Sequence, residues 1–367
     1  MRVEAVGDQT SLADRKKRAG QRLIVGLAGT SPSAEFIEFC RTARPAGFIL
    51  FGRNVEEPAQ VLELNRELAS LVPEESPALL SVDQEGGRVR RIKEIDWPAM
   101  RTVGNLDDLA MTRRLASAMA TELRALGFNL DFAPVADVDS NPANPVIGDR
   151  SFGRDPQRVA QQVVAWTQAM QREGVICCAK HYPGHGDTSV DSHLDLPVVD
   201  RDPDDLWHLE QVPFRAVVDA GVAMVMTAHV LFPALDEAVP ATMSQPILEG
   251  WLRKRLGFQG VICSDDMEMK AVRGRYELEY QLDLACRATV DMFIVSEQLS
   301  LCWETWETLV RLQEDDPLHD DRAVDSLARV ETLRERFLLD PPVVPGLAGV
   351  GSLHHKMLAA EIQARGA

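Results

Sequence analysis

The sequence predicts an α/β fold, a single (β/α)8 barrel of the TIM type spanning about residues 20–340. Eight short apolar runs recur along the 367-residue chain, and helical segments lie between most of them. Strands that alternate with helices are typical of a parallel sheet covered by helices. No G-x-G-x-x-G follows the first run, so the main sign of an open dinucleotide-binding sheet is absent. An open doubly wound sheet is the alternative, but eight repeats in one chain favour the barrel.

The eight apolar runs are the predicted strands of the barrel. In chain order they are RLIVGL (22–27), GFILF (47–51), ALLSV (78–82), NLDFAP (129–134), VICCA (175–179), AMVMTA (223–228), GVICS (260–264) and DMFIVS (291–296). Strands of a parallel barrel are covered on both faces, so they read as nearly continuous apolar runs. Helices are clearest over 58–72, 112–127 and 156–174, and the last two end in glycine, as helices often do.

The two ends of the chain differ from this repeating pattern. We expect residues 1–20 to form an N-terminal extension, residues 21–340 the catalytic barrel and residues 341–367 a C-terminal tail. The tail is rich in proline and glycine, which predicts a loop that leads to a short final helix.

Composition excludes several classes of protein. The net charge of −17 argues against a nucleic-acid partner, because binding phosphates needs a basic surface. The first twenty residues contain no apolar core of a signal peptide, and no run approaches eighteen apolar residues. We therefore expect no membrane partner and a cytoplasmic location. The six cysteines show no C-x-x-C spacing, so we expect reduced structural thiols. The oligomeric state stays open, a monomer included.

The segment KHYPGHGDTSVDSH, residues 180–193, contains three histidines, two aspartates and a lysine. Pro183, Gly184 and Gly186 interrupt helices and strands, so the segment predicts an ordered loop that begins where the fifth strand ends. Catalytic groups of such barrels lie just past the carboxyl ends of strands. Polar residues collect at four other predicted strand ends, namely DQEGGRVRR (83–91), PVADVD with GDRSFGRD (148–155), AHVLFP (228–233) and SDDMEM (264–269).

Two pairs of residues are candidates for acid–base or nucleophilic chemistry. Asp265 and Asp266 follow the seventh strand, so one carboxylate can face the mouth of the barrel while the other caps the next helix. Asp191 and His193 are two residues apart in the loop, and a carboxylate there can orient the imidazole for proton transfer.

A metal site is the competing interpretation of the same loop. His181 and His185 have H-x-x-x-H spacing, and Asp191 could supply a third ligand. That spacing aligns two imidazoles on one face only in a helix, which Pro183 and Gly184 prevent. No glutamate stands between the histidines, as it does in H-E-x-x-H.

Basic side chains near the same strand ends could bind a substrate. They are Arg88, Arg91, Arg150 and Lys180. They could hold sugar hydroxyls, an acyl carbonyl or a carboxylate. The other interpretation is that they form structural ion pairs with Asp83, Glu85 and Asp149.

Five motifs, KHYPGHGDTSVDSH, DQEGGRVRR, NLDFAPVADVD, IGDRSFG and GVICSDDMEM, closely resemble glycoside hydrolase family 3. The resemblance covers about residues 20–340 in the family's order, and it points to the β-N-acetylglucosaminidase branch that acts in bacterial peptidoglycan recycling. It implies a (β/α)8 barrel and a retaining, two-step mechanism without metal or organic cofactor.

The resemblance also implies roles for individual residues. Asp265 would be the catalytic nucleophile, His193 the general acid/base and Asp191 its partner. The N-acetylglucosamine would be held by Asp83, Arg91, Arg150, Lys180 and His181. The expected activity is removal of terminal non-reducing N-acetylglucosamine from muropeptide-like β-glycosides.

Several alternatives remain open at this point. Within the family they are a β-glucosidase and an N-acetylglucosaminide phosphorylase, since a neutral histidine repels phosphate less than a carboxylate would. From other classes they are a metal-dependent hydrolase and a non-catalytic sugar-binding barrel.

Overall fold

The computed structural model describes residues 10–189, 196–344 and 346–367. Eight parallel strands form a closed barrel, which confirms the predicted fold class. The strands of the barrel are β1 (Leu23–Gly26), β2 (Gly47–Leu50), β3 (Leu79–Val82), β6 (Leu130–Asp131), β7 (Ile176–Tyr182), β8 (Met224–Thr227), β9 (Val261–Asp266) and β10 (Met292–Val295). They follow one another around the barrel in chain order, and β10 closes it by pairing with β1. Every one of them lies at a predicted apolar run.

Two further strands, β4 (Gln84–Gly86) and β5 (Val89–Arg90), form an antiparallel hairpin directly after β3. The sequence analysis did not predict this hairpin. Its turn requires glycine, because Gly86 and Gly87 have φ of +94° and +55°. A Cβ at Gly86 would also lie 2.3 Å from the carbonyl oxygen of Pro98. The hairpin therefore packs tightly against the segment that follows it.

Helices surround the barrel between the strands. The α-helices of the described residues are α1 (Leu12–Gly20), α2 (Ala34–Ala43), α3 (Pro58–Ser70), α4 (Met100–Asn105), α5 (Leu109–Ala125), α6 (Pro156–Arg172), α7 (Pro203–His208), α8 (Gln211–Asp219), α9 (Lys270–Arg273), α10 (Leu278–Arg287), α11 (Leu299–Asp315), α12 (Pro317–Phe337) and α13 (Leu353–Gly366). A π-helix covers Pro246–Arg255, and 3₁₀ turns cover Gly52–Asn54, Gly148–Arg150, Ala241–Met243 and Leu347–Gly349. No described helix has both the length and the apolar character needed to cross a bilayer.

The three clearest predicted helices correspond to α3, α5 and α6. Asp108 and Asp155 cap the last two, since each side chain accepts hydrogen bonds from backbone N–H groups of the first turn. The Pro- and Gly-rich segment leads to α13, which packs against α4 and α5. At the other end of the chain, α1 packs on α11, where the indole of Trp306 donates to the carbonyl of Lys16.

Apolar side chains form two clusters, one between strands and helices and one inside the barrel. The inner cluster takes alternate residues of the strands together with Val330, Leu333 and Phe337 of α12. This helix therefore closes the end of the barrel opposite the carboxyl ends of the strands. All six cysteines are buried and unpaired, as predicted.

A buried carboxylate joins α12 to the barrel. Asp291 is fully buried beside β10, and its oxygens accept from Arg329 at 2.9 Å and from Ser326 at 3.0 Å. The same carboxylate pairs with Arg253 of the π-helix and accepts from the backbone N–H of Ile262 in β9. A buried charge with this many partners is costly to break, because each partner would lose its compensation.

We predict that Asp291→Ala lowers the free energy of unfolding by about 3–5 kcal/mol, because two arginines lose a buried counter-charge. Urea denaturation followed by circular dichroism measures the change. Asp325→Ala is the matched control, since Asp325 is an exposed residue of α12, the helix that Asp291 joins to the barrel, and the substitution should be nearly neutral. Equal stabilities of the two variants would contradict the role of Asp291.

Candidate active site

A cavity of about 170 Å³ lies at the carboxyl ends of the barrel strands. It is lined by Ile49, Phe51, Asp83, Glu85, Val89, Arg91, Val146, Arg150, Lys180, His181, His185, Met226, Asp265, Asp266, Met269 and Ile294. Six of the eight predicted site residues are in this set. The other two, Asp191 and His193, lie outside the described residues.

The first residues of the predicted loop belong to a strand. β7 continues to Tyr182, three residues beyond the predicted end of the strand at Ala179. Lys180 and His181 are therefore strand residues, and both are almost completely buried. A polar pair is tolerated there because other strands supply buried hydrogen-bond partners, which sequence composition does not reveal.

Lys180 occupies the centre of a buried network of ion pairs. Its Nζ lies 2.8 Å from Oδ1 of Asp83 and 2.7 Å from Oε1 of Glu85. Arg150 pairs with both oxygens of Glu85 at 2.8 Å, a bidentate geometry that fixes the guanidinium plane. Arg91 lies 3.2 Å from the second oxygen of Asp83. The network thus connects β3, the hairpin, β7 and the turn at Arg150.

The expected structural ion pairs of the basic residues are present. In addition to the network, Arg88 lies 2.9 Å from Asp149 at the exposed rim. Pairing does not remove these cations from the cavity, which Arg91, Arg150 and Lys180 still line. The two interpretations of these cations are therefore compatible.

The charges of the buried network are fixed over a wide range of pH. Burial alone would raise the pKa of Glu85, but Arg150 and Lys180 hold that pKa well below its usual range. Burial alone would lower the pKa of Lys180, but Asp83 and Glu85 raise it above its usual range. The site consequently offers charged donors and acceptors whose state does not change near neutral pH.

Asp137, which the sequence analysis did not single out, organises the histidines. Its Oδ2 lies 2.7 Å from Nδ1 of His181, and its Oδ1 accepts from the backbone N–H groups of His181 and His185. A carboxylate only accepts, so Nδ1 of His181 carries a hydrogen and Nε2 faces Arg150 at 3.4 Å. The residue belongs to PVADVD, and only its position after a predicted strand indicated a role.

Asp265 and Asp266 both line the cavity, and the expectation that one of them caps the next helix is wrong, because the residue before α9 is Met269 and no side chain caps that helix. The backbone N–H of Asp266 donates to Oδ1 of Asp265 at 2.8 Å. Burial would raise the pKa of Asp265, but His181 and this hydrogen bond lower it below its usual range. Asp266 accepts from the N–H of Glu268 in the turn before α9, and burial raises its pKa to about 6. Asp265 is thus the more strongly ionised of the two.

The turn after β7 packs against Glu210, the buried residue that precedes α8. A Cβ at Gly184, whose φ is +138°, would lie 2.7 Å from Glu210, so only glycine fits. Glu210 is fully buried and accepts from Ser140 at 2.7 Å, and burial raises its pKa to about 8.

Further along the chain, Asp187 pairs with Arg201 at 2.6 and 3.0 Å. This ion pair joins the described residues on the two sides of 190–195.

The described residues contain no group of three or more side chains placed to hold a metal ion. The rings of His181 and His185 are 5.6 Å apart. Their Nδ1 atoms contact Asp137 and Thr188, respectively, and burial lowers the pKa of His185 to about 4. The predicted third ligand, Asp191, lies outside the described residues.

Comparison with known families shows that this barrel is a glycoside hydrolase. The model of the glycosyl hydrolase family 3 N-terminal domain matches residues 17–333. The chain therefore belongs to glycosyl hydrolase family 3.

Similar proteins carry related names. The β-hexosaminidase of Nitrosomonas eutropha is 36% identical over 334 residues, which cover 86% of this chain and 93% of the relative. A family 3 β-N-acetylglucosaminidase from Paenibacillus has a TM-score of 0.91 and 35% identity, covering 96% of this chain and 68% of that one. Native NagZ from Neisseria gonorrhoeae has a TM-score of 0.78 and 29% identity, and the match covers 94% of this chain and 98% of NagZ.

We predict that Glu210→Gln removes a pH dependence of stability. The pKa of Glu210 in the folded protein, about 8, exceeds its ordinary value of 4.5. The stabilising contribution of the carboxyl group is therefore complete below about pH 4.5 and is lost as the pH rises to about 8. Glutamine keeps the acceptor for Ser140 but cannot ionise. Relative to the wild type, the variant should become more stable between about pH 5 and about pH 8.5, as measured by urea denaturation.

The exposed Glu67 offers a control, because Glu67→Gln should follow the wild type at both pH values. If the stability of the wild type and of Glu210→Gln changed with pH in parallel, Glu210 would be ionised in the folded protein at neutral pH and the prediction would be wrong.

Proposed function

We propose that the protein is a retaining exo-β-N-acetylglucosaminidase that removes terminal non-reducing N-acetylglucosamine from peptidoglycan-derived muropeptides. The observation that carries the proposal is the position of Asp265 in one cavity with Asp83, Arg91, Arg150, Lys180 and His181. The names of the similar proteins support the sugar specificity.

The cavity supports binding of a single terminal sugar. Its apolar floor includes Ile49, Met226 and Ile294, residues of the strands or their ends, and α12 closes the barrel below. Charged groups line the other part of the wall, and hydrogen bonds between hydroxyls and charged partners are stronger than those between neutral groups. We assign the sugar hydroxyls and the acetamido group to Asp83, Arg91, Arg150, Lys180 and His181.

In the first step, the carboxylate of Asp265 attacks the anomeric carbon and forms an ester bond. The bond from this carbon to the leaving oxygen breaks, and the leaving oxygen takes a proton from an imidazolium. Attack needs an ionised carboxylate, and the surroundings of Asp265 lower its pKa. In the second step, water attacks the same carbon, the imidazole takes the proton of the water, and the ester bond breaks. Two displacements at one carbon retain its configuration.

We assign the proton transfers to His193 and the orientation of its ring to Asp191. Both assignments come from the resemblance of the 180–193 motif. They agree with a site in which three of the described carboxylates are already engaged. Asp83 and Glu85 are held in ion pairs, and Asp137 binds His181.

We predict that Asp265→Asn lowers kcat on an aryl β-N-acetylglucosaminide by at least about a thousandfold, since the amide cannot form the ester. Initial rates measure the loss. A 2-deoxy-2-fluoro or 5-fluoro glycosyl donor should add one sugar to the wild-type peptide that contains Asp265, as mass spectrometry would show. Asp266→Asn is the matched control, with the same chemical change one residue away, and should retain most activity. Full activity of Asp265→Asn would refute the proposal.

The alternatives predict different substrates and products. We expect the aryl N-acetylglucosaminide to be cleaved much faster than the aryl glucoside, and the reverse order would indicate a β-glucosidase. In phosphate buffer the expected product is free N-acetylglucosamine, whereas a sugar 1-phosphate would indicate a phosphorylase.

Activity should survive exhaustive chelation, and its loss would favour the metal-dependent hydrolase. A wild type inactive on every glycoside would favour a binding barrel.

A further inference from the structure

His229 is a buried histidine near Asp265 to which the proposed mechanism gives no role. It follows β8 by two residues and has no exposed surface. It is not among the described residues that line the cavity. Its Nε2 lies 3.1 Å from the backbone oxygen of Asp266, and its Nδ1 lies 2.8 Å from Oγ1 of Thr242.

The partners of His229 determine where its hydrogen lies. A carbonyl oxygen only accepts, so Nε2 must carry the hydrogen. Burial lowers the pKa of His229, which leaves the ring neutral and makes Nδ1 an acceptor. The hydroxyl of Thr242 then donates to Nδ1 at 2.8 Å in preference to the carbonyl of Ala228 at 3.1 Å. Thr227 lies 2.8 Å from Thr242 and can donate to it.

These hydrogen bonds form a chain with one direction. Each hydroxyl or ring donates to the next group, and the chain ends at the carbonyl of Asp266. That carbonyl also accepts from the N–H of Met269 at 3.1 Å. On its other side, Asp266 donates its own N–H to Oδ1 of Asp265 at 2.8 Å. Both backbone polar groups of Asp266 are therefore held, and one of them holds the carboxylate.

We propose that His229 is a positioning residue for the nucleophile, acting on Asp265 through the backbone of Asp266. The inference rests on the proposed function of Asp265. In attack, one oxygen must point at the anomeric carbon while the other is held, and the N–H of Asp266 is the described group that holds it. The hydrogen bond from His229 fixes the residue that bears this N–H. The sugar-binding cations lie elsewhere on the wall, so affinity for the sugar does not depend on His229.

Two substitutions of His229 test the hydrogen bonds of its two ring nitrogens individually. His229→Asn can keep the contact with Thr242 but does not reach the carbonyl of Asp266. His229→Gln places its amide nitrogen close to the position of Nε2. We expect the asparagine variant to form the glycosyl-enzyme about five- to tenfold more slowly, the effect of one lost hydrogen bond. Inhibition by free N-acetylglucosamine should be unchanged, and the glutamine variant should recover most of the rate.

The pH profile of kcat/KM gives a second readout. Among the described residues, the charged or titratable groups around Asp265 are Lys180 and His181 from β7, His229 from the segment after β8, and Asp266 beside it. A displaced N–H of Asp266 stabilises the carboxylate less, so the acid limb should move to higher pH in His229→Asn. Thr242→Val removes the donor to Nδ1. It should also slow formation of the glycosyl-enzyme and move the acid limb to higher pH, and it replaces the asparagine variant if that variant does not fold.

His319→Asn is the matched control, because His319 is a buried histidine that pairs with Asp283 on the outer helices. The His319→Asn substitution should lower stability but leave the rate of glycosyl-enzyme formation and the acid limb of the pH profile unchanged. A wild-type rate and acid limb in His229→Asn, or equal losses in His229→Asn and His229→Gln, would overturn the inference. Asp265→Asn in the same series tests the proposed function separately, since its activity would refute the nucleophile itself.

Discussion

The buried ammonium of Lys180 lies between the carboxylates of Asp83 and Glu85, and the walls of the cavity depend on this contact. Removing a charge from water is expensive unless partners replace the lost hydration. Here a strand on one side of the barrel supplies the cation, and a strand with its hairpin supplies the anions. Arg150 and Arg91 complete the compensation from two further positions. None of these groups can move without leaving another buried charge uncompensated.

The arrangement has a simple electrostatic balance. Three carboxylates with lowered pKa values, Asp83, Glu85 and Asp265, share the cavity lining with three cations, Arg91, Arg150 and Lys180. A balanced set of fixed charges binds a neutral, hydroxyl-rich ligand without attracting ions of one sign. The carboxylate of Asp265 differs from the others because it lacks an ion pair in the described structure and accepts a hydrogen bond from a backbone N–H. It is the one anion of the three that is left for covalent chemistry.

The barrel could be predicted because each strand carries its own signal, an apolar run buried on both faces. The position of the cavity followed from the rule that polar residues collect at the carboxyl ends of strands. The extension of β7 to Tyr182 could not be predicted, because Lys180 and His181 are stable there only through partners more than forty residues away. Asp137 and His229 were missed for the same reason, since each acts through contacts that the fold creates. Glu85 was expected only as an ion-pair partner, yet it also lines the cavity. The proposed roles of Asp191 and His193 still rest on the resemblance.

The closure of the barrel by α12 has a kinetic consequence. Val330, Leu333 and Phe337 fill the end of the barrel opposite the cavity, so in the described part of the chain the cavity opens at the carboxyl ends of the strands. In the proposed reaction the aglycone departs through that opening before water can attack the covalent intermediate. The released monosaccharide must then leave along the route by which the next glycoside enters. Accumulated monosaccharide therefore competes with new substrate for the same opening.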